Sequence, residues 1–245
     1  MAEFSMKIAG HVARVQSLFD STPHFFAKYL TDEPVEFSIR VKPEDLQFEQ
    51  DFLLQEALEE GFRPRVFTDP FLDRAAIQRQ FAHHLLPRQV LLLHGSAIAA
   101  DDRGYLFIAR SGTGKSTHTR LWRQLLADRA VMINDDKPFV HHREECFFLC
   151  GSPWSGKHGL DSNLSVPLAG ICLLERGQEN RIAPLDAQLG LQVLLQHSCP
   201  PLPPQLQETF HQLMKQLATS VPLWKMECNK DPMAAQVAFE AMSHT

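Results

Sequence analysis

Nine consecutive residues carry the most legible chemistry of the chain: Ala109-Arg110-Ser111-Gly112-Thr113-Gly114-Lys115-Ser116-Thr117. An apolar run, Tyr105-Leu106-Phe107-Ile108, precedes them, and a helical pattern over residues 118–126 follows. Strand, glycine-rich turn and helix is the context that a phosphate-binding loop needs. Glycines let backbone N–H groups turn inward around phosphate oxygens. The helix N-terminus adds unpaired donors and a partial positive charge at the same spot. Ser111, Gly112, Thr113, Gly114, Lys115, Ser116 and Thr117 would thus cradle the phosphates of a nucleotide. Lys115 would reach the outer phosphates as a point charge. The Ser116 hydroxyl would hold a magnesium ion that bridges them. The pattern Gly-x-x-x-x-Gly-Lys-Ser/Thr is met except at its first position, where Ala109 keeps only the small size.

A second group follows at a useful distance. The buried-strand pattern Ala130-Val131-Met132-Ile133 ends in Asn134-Asp135-Asp136. Beside a phosphate loop, one carboxylate can hold magnesium and another can accept a proton from an attacking hydroxyl. Adjacent side chains point to opposite sides of a strand, so the two roles need not fall on one residue. The same tripeptide is also turn chemistry. His94 closes the apolar run of residues 90–93. A lone histidine at a strand end is ordinarily structural, but a neighbouring anion site gives it a use. Residues 151–159 form a glycine-rich loop in which Lys157 and His158 could neutralise a transferring phosphate. An ordinary surface connector would read the same way.

The surrounding elements must position these groups. Residues 6–16 alternate loosely and read as one strand, and residues 35–41 alternate cleanly and read as another. Residues 52–60 read as a short helix or an irregular acidic face, 62–67 as a further strand, and 69–86 as a helix that Pro87 ends. The run around residues 90–99 and the strand 105–108 flank a turn at Asp101-Asp102-Arg103-Gly104 and read as a hairpin, with His94 on its first strand. Residues 139–149 read as a second hairpin, 168–174 as a buried strand, and 185–196 and 205–219 as helices. Pro200-Pro201-Leu202-Pro203-Pro204 is a rigid break. A strand over 221–226 and a helix over 232–242 close the chain. The expected class is α/β with a mixed sheet: a short α+β segment, residues 1–86, packed on a nucleotide-binding core, residues 87–245.

The 245 residues are 44% hydrophobic, enough for a well-buried core. A net charge of −5 with no basic block speaks against broad nucleic-acid binding. The five cysteines show no Cys-x-x-Cys spacing, so neither a disulfide framework nor a zinc site is indicated. No apolar run approaches the length that spans a bilayer. A cytoplasmic protein without membrane partners is expected.

Taken in order, His94-Gly95, then Ser111-Gly112-Thr113-Gly114-Lys115-Ser116, then Asp135-Asp136 resembles the catalytic core of bacterial HPr kinase/phosphorylase, a family grouped in fold with the ATP-type phosphoenolpyruvate carboxykinases. The resemblance covers roughly residues 88–176. It implies ATP and magnesium as cofactors and phosphoryl transfer to a hydroxyl. It implies nucleotide and metal roles for Lys115 and Ser116, base and metal roles for Asp135 and Asp136, and a place for His94 lining the phosphate site. It also implies homo-oligomers. Residues 1–86 do not look like that family's N-terminal domain, and the substrate-side loop Ser152-Pro153-Trp154-Ser155-Gly156-Lys157 departs from its pattern. The expected acceptor is therefore a serine of a peptide or protein, or a small molecule, rather than HPr. Asp135 is the first choice as base, with the metal on Ser116 and Asp136, although the sequence does not fix which aspartate is which. Two alternatives stay open: a nucleotide-binding regulatory protein that transfers nothing, and a phosphorylase or phosphatase running the same site in reverse.

Overall fold

The computed structural model describes residues 1–59, 61–198 and 201–244. Cys199 and Pro200, the latter opening the proline-rich break, lie outside the described residues. The chain divides into two compact units, Met1–Leu85 and Leu86–Thr245.

The first unit begins with β1 (Ala2–Ile8) and β2 (His11–Ser17), an antiparallel pair joined by Ala9 and Gly10, both at positive φ. The segment expected to be a single strand is therefore a hairpin: a two-residue turn of this hand fits the twist of the strands it joins. A short helix, α1 (Thr22–Phe25), leads to β3 (Phe37–Arg40), which pairs parallel to β2. Two 17-residue helices follow, α2 (Pro43–Glu59) and α3 (Asp69–Leu85). Pro43 opens α2 because the first turn of a helix needs no N–H there, so the expected short acidic segment is a full helix. Residues 62–67 are not a strand. Their backbone bonds to a helix side chain instead: Phe67 N–H donates to Gln50 Oε1 (2.8 Å), and Gln50 Nε2 donates to the Arg65 carbonyl (3.2 Å). The buried carboxylate of Asp73 accepts from Leu18 N–H (2.9 Å) and the Thr22 hydroxyl (2.7 Å).

The second unit holds the sequence motifs. Its strands are β4 (Val90–Leu92), β5 (Ser96–Ala100), β6 (Arg103–Ile108), β7 (Ala130–Asn134), β8 (Phe139–Arg143), β9 (Cys146–Cys150), β10 (Ser165–Arg176), β11 (Arg181–Pro184) and β12 (Leu223–Cys228). Its helices are α4 (Lys115–Leu126), α5 (Ala187–Gln196), α6 (Gln207–Ser220) and α7 (Met233–Ser243). The strands form one mixed sheet in the order β4-β8-β9-β10-β6-β5-β7, with β12 also on β10 and β11 on β12. The fold is α/β with a mixed sheet, as the pattern predicts.

The long strand β10 joins the two halves of this sheet. Its start pairs antiparallel to β9, and its remainder runs parallel to both β6 and β12. Strand β6 is buried on both faces. Leu106 and Ile108 enter a core with Phe210, Leu213, Met214 and Leu217 of α6. Tyr105 and Phe107 enter another with Trp122 of α4 and Ala234, Ala238 and Met242 of α7. That is the two-residue period of a strand covered on both sides. Trp122, fully buried, lies 5.0 Å from the Tyr105 ring, 5.2 Å from Phe107 and 5.4 Å from Phe239.

The expected hairpin is β5 and β6 alone. β4 leaves to pair with β8, and His94 stands in the break between β4 and β5 rather than on a hairpin strand.

Trp122 anchors α4, and with it the loop that precedes the helix. Trp122→Ala should lower the unfolding free energy by about 3–5 kcal/mol, seen as an earlier urea midpoint in circular dichroism. A loss below about 1 kcal/mol would show that the cavity collapses.

Candidate functional site

The carboxyl end of β6 runs into residues 109–114, and α4 starts at Lys115. Ala109, at the position where a glycine was expected, is fully buried, so its methyl group is accommodated. Gly112 (φ +72°) and Gly114 (φ +126°) are in conformations that other residues rarely adopt, and an added Cβ at either would meet nothing within 4 Å. Their requirement is conformational, not steric. Thr113 N–H donates to the Arg110 carbonyl (3.1 Å), which closes the turn. Lys115 is 9% exposed, and its ammonium donates to the Ala109 carbonyl (3.1 Å), folding back across the loop. Ser111, Gly112 and Ser116 are exposed, and Thr113, Gly114 and Thr117 are half-buried.

Asp135 and Asp136 have different surroundings. Asp135, at the end of β7, is buried; its Oδ1 accepts from the Ser96 hydroxyl at 2.6 Å. The Ser96 oxygen lies 2.9 Å from the Thr119 hydroxyl. A hydroxyl has one proton. Ser96 gives its own to Asp135, so Thr119 supplies the other bond. Thr119 is one turn beyond Lys115 on α4. The chain Thr119–Ser96–Asp135 thus ties the carboxylate of β7, through β5, to the first turns of the loop helix.

Asp136 is half-buried and faces His94, whose Nε2 lies 3.3 Å from its Oδ1. The Asp136 carbonyl accepts from Gly95 N–H (3.0 Å). From the other side, the backbone of Gly156 stands against the Asp136 side chain: a Cβ there would be 3.3 Å from its Cβ. Burial raises the Asp136 pKa against the pull of Lys137 and Lys115. His94 is pushed down to about 2, first by burial and then by Lys137, Lys115 and His197. The contact is a neutral imidazole against a carboxyl group, not an ion pair.

Asn134 takes the turn role that the Asn-Asp-Asp sequence allowed. It is fully buried, and its Oδ1 accepts from Asp136 N–H (2.7 Å) and Lys137 N–H (2.6 Å). Its amide nitrogen donates to the Ser152 carbonyl (2.8 Å) and the Trp154 carbonyl (3.3 Å). One side chain therefore sets the backbone at both aspartates and ties the glycine-rich loop to them. Gly151 of that loop packs so tightly on the Ser162 carbonyl that no Cβ fits. Lys157 and His158 lie on a short 3-10 turn, Gly156–His158, and are exposed.

The structure thus gathers His94, Asp135, Asp136 and Lys115 in one place, with the base of the 151–159 loop against Asp136. It adds residues that no local pattern marks. Ser96 binds Asp135, and Thr119 binds Ser96. His197 follows α5, and its carbonyl accepts from His94 N–H (2.8 Å). The His197 ring is pushed down to about 4 by burial, then by Lys115, Arg110 and Lys137. Arg176, at the end of β10, donates to the Gly112 carbonyl (2.7 Å). Only the Glu175-Arg176 ending of a buried strand could have pointed to it. His118 is buried away from this group: its Nε2 accepts from Trp122 Nε1 (3.2 Å), and burial pushes it down to about 4.

Among the described residues no cluster of three or more His, Cys, Asp or Glu could by itself hold a metal ion. The oxygen donors Ser116, Asp135 and Asp136 suit a hard cation that keeps most of its shell on water and phosphate, the usual habit of magnesium. Among the described residues no helix is long and apolar enough to cross a membrane.

No family model and no curated protein matches the chain. Among solved structures, the HPr(Ser) kinase/phosphatase from Coxiella burnetii aligns over 62% of this chain and 91% of that one, at 9% identity and a TM-score of 0.39. A likeness of that size transfers no chemistry.

The three histidines held neutral tie stability to pH. Their unfolded pKa is near 6.5, above the native values of about 2 for His94 and about 4 for His118 and His197. Above pH 6.5 both states are neutral and stability is undiminished. As pH falls below it, the unfolded chain takes up protons that the native one refuses. Each histidine then removes roughly 2 kcal/mol by pH 5. Asp136, raised instead, acts in the opposite sense in the acidic range. Urea midpoints should fall from pH 7 to pH 5, and less so in His118→Asn. An equal fall in that variant would mean that native His118 is protonated.

Proposed function

We propose that the unit Leu86–Thr245 is an ATP-dependent kinase that transfers a phosphoryl group to a hydroxyl, on a serine of a peptide or protein or on a small molecule. The observation that carries this reading is the placement of two carboxylates in unlike settings next to the loop that ends in Lys115. A module that only bound nucleotide would need the loop but not a half-buried carboxyl group of raised pKa beside it.

The geometry favours exchanging the roles first expected of the two aspartates. Asp135, held by Ser96 and linked to α4, is the proposed magnesium ligand together with Ser116. The metal would supply neutralisation of phosphate charge. Asp136, raised in pKa by burial and partly open to solvent, is the proposed proton acceptor. A carboxylate of raised pKa is the stronger base near neutral pH. The neutral His94 fixes its orientation. Lys115, with Lys137 close to Asp136, would offset charge on the transferred group. A substrate hydroxyl is a weak acid, so positioning and electrostatics carry most of the rate. Lys157 and His158 follow Gly156, which stands against Asp136, and are proposed to meet the acceptor. Transfer in the reverse direction would use the same groups.

Calorimetric titration with ATP and magnesium should show micromolar binding that Lys115→Ala abolishes. Asp136→Asn should keep that binding and lower ADP release, measured across a panel of hydroxyl acceptors, by about 10²–10⁴-fold. Asp135→Asn should weaken the dependence on magnesium. If Lys115→Ala turns over ATP as well as the parent does, the kinase reading fails. If Asp136→Asn changes no activity, a nucleotide-binding regulator is the better description.

A further inference from the structure

Asp135 and Asp136 reach the loop from one flank of β6, through β5 and β7. The other flank is β10, and it ends in a cation. The carboxyl ends of β6, β10 and β12 run side by side: Leu173 is level with Ile108, and Arg176 with Cys228. Ligand sites of parallel strands form outside such ends. Arg176 Nη2 crosses to the loop and donates to the Gly112 carbonyl at 2.7 Å, a contact between residues 64 apart in the chain.

Both partners of this bond are defined by their surroundings. The backbone that carries Arg176 is paired to β12, and its side chain is exposed. Glu175 is paired with Lys225 (2.9 Å), and Gly177 N–H donates to the Cys228 carbonyl (3.0 Å). The loop end is not held by packing, because open space surrounds the position of a Gly112 Cβ. A trans peptide unit points its carbonyl and its N–H in opposite directions. For the unit between Gly112 and Thr113, Arg176 takes the carbonyl, and the Arg110 carbonyl takes the Thr113 N–H at 3.1 Å. The unit is gripped at both ends, and one grip comes from outside the loop. A hydrogen bond from a charged donor is stronger than a neutral one. A loop already in its binding shape spends less free energy on ordering when its ligand arrives.

We propose that Arg176 is a positioning residue of the phosphate loop: it clamps the Gly112–Thr113 peptide and so sets the loop in its anion-holding shape before a polyphosphate arrives. The inference rests on the reading of residues 109–117 as a phosphate site. It needs no nucleoside, so inorganic tripolyphosphate separates it from a direct contact between Arg176 and base or sugar.

The full chain, Arg176→Gln and Arg176→Lys are titrated calorimetrically with ATP and with inorganic tripolyphosphate, each with magnesium. Amide hydrogen exchange over residues 110–114 is followed without ligand. Arg176→Gln should weaken both ligands by the same factor, about tenfold, and should speed exchange at Thr113. Arg176→Lys, which keeps the charge and a donor, should recover part of both. Loss of ATP affinity with tripolyphosphate unchanged would overturn the inference and make Arg176 a nucleoside contact. Affinities within about twofold of the parent would overturn it while leaving the phosphate site intact. Failure of the parent to bind either ligand would sink the phosphate-site reading, and this inference with it.

Discussion

Strand β6 has no solvent-facing side, and the site depends on that constraint. Its side chains divide between two cores, so neither a slip in register nor a rotation is open to it without exposing half of them. Its carboxyl end must therefore deliver residues 109–114 to one place at the rim of the sheet. Helix α4 is fixed in turn by Trp122, which packs on the Tyr105 and Phe107 rings of the same strand. The two ends of the loop and Lys115 inherit the precision of a packed interior, although the residues between are exposed or half-buried.

Desolvation then gives the site its electrostatic character. Lys115 and Lys137 act on His94, and with Arg110 on His197, and burial is the larger cause of the neutral state of both rings. Neutral imidazoles leave the cations without added like charge. They also leave Asp136 with a close neighbour, 3.3 Å away, that does not neutralise it. A histidine at this position serves as an oriented neutral group, and protonation would oppose both its burial and the adjacent lysines.

Hydrogen bonding separates the two aspartates. Neighbours in sequence, they differ because Asn134 turns the backbone between them and because one meets a hydroxyl and the other an imidazole. Asn134 itself is a positioning residue. It serves the site by satisfying the backbone N–H groups of Asp136 and Lys137 and by binding the loop that follows β9.

Much of the candidate site is legible in the sequence. The strand-loop-helix order, the glycines at positions of positive φ, Lys115 and the acidic end of β7 are set by patterns only a few residues long, because local sterics and helix-end donors depend on near neighbours. The hairpin turn at Ala9-Gly10 and the coil at 62–67 are not. In the first, the loose alternation of residues 6–16 hides a turn. In the second, the side chain of Gln50 competes for the backbone that a strand would use. Pairwise meetings across the chain are out of reach of any local pattern. Ser96 finds Asp135 39 residues away, His197 comes to His94 from beyond α5, and Arg176 reaches Gly112 from the end of a strand in the middle of the sheet. The sequence by itself determined which chemical groups exist and which short segments present them. The tertiary structure decided which aspartate is buried under a hydroxyl and which is left half-buried beside an imidazole, because partners and burial are properties of packing between distant segments.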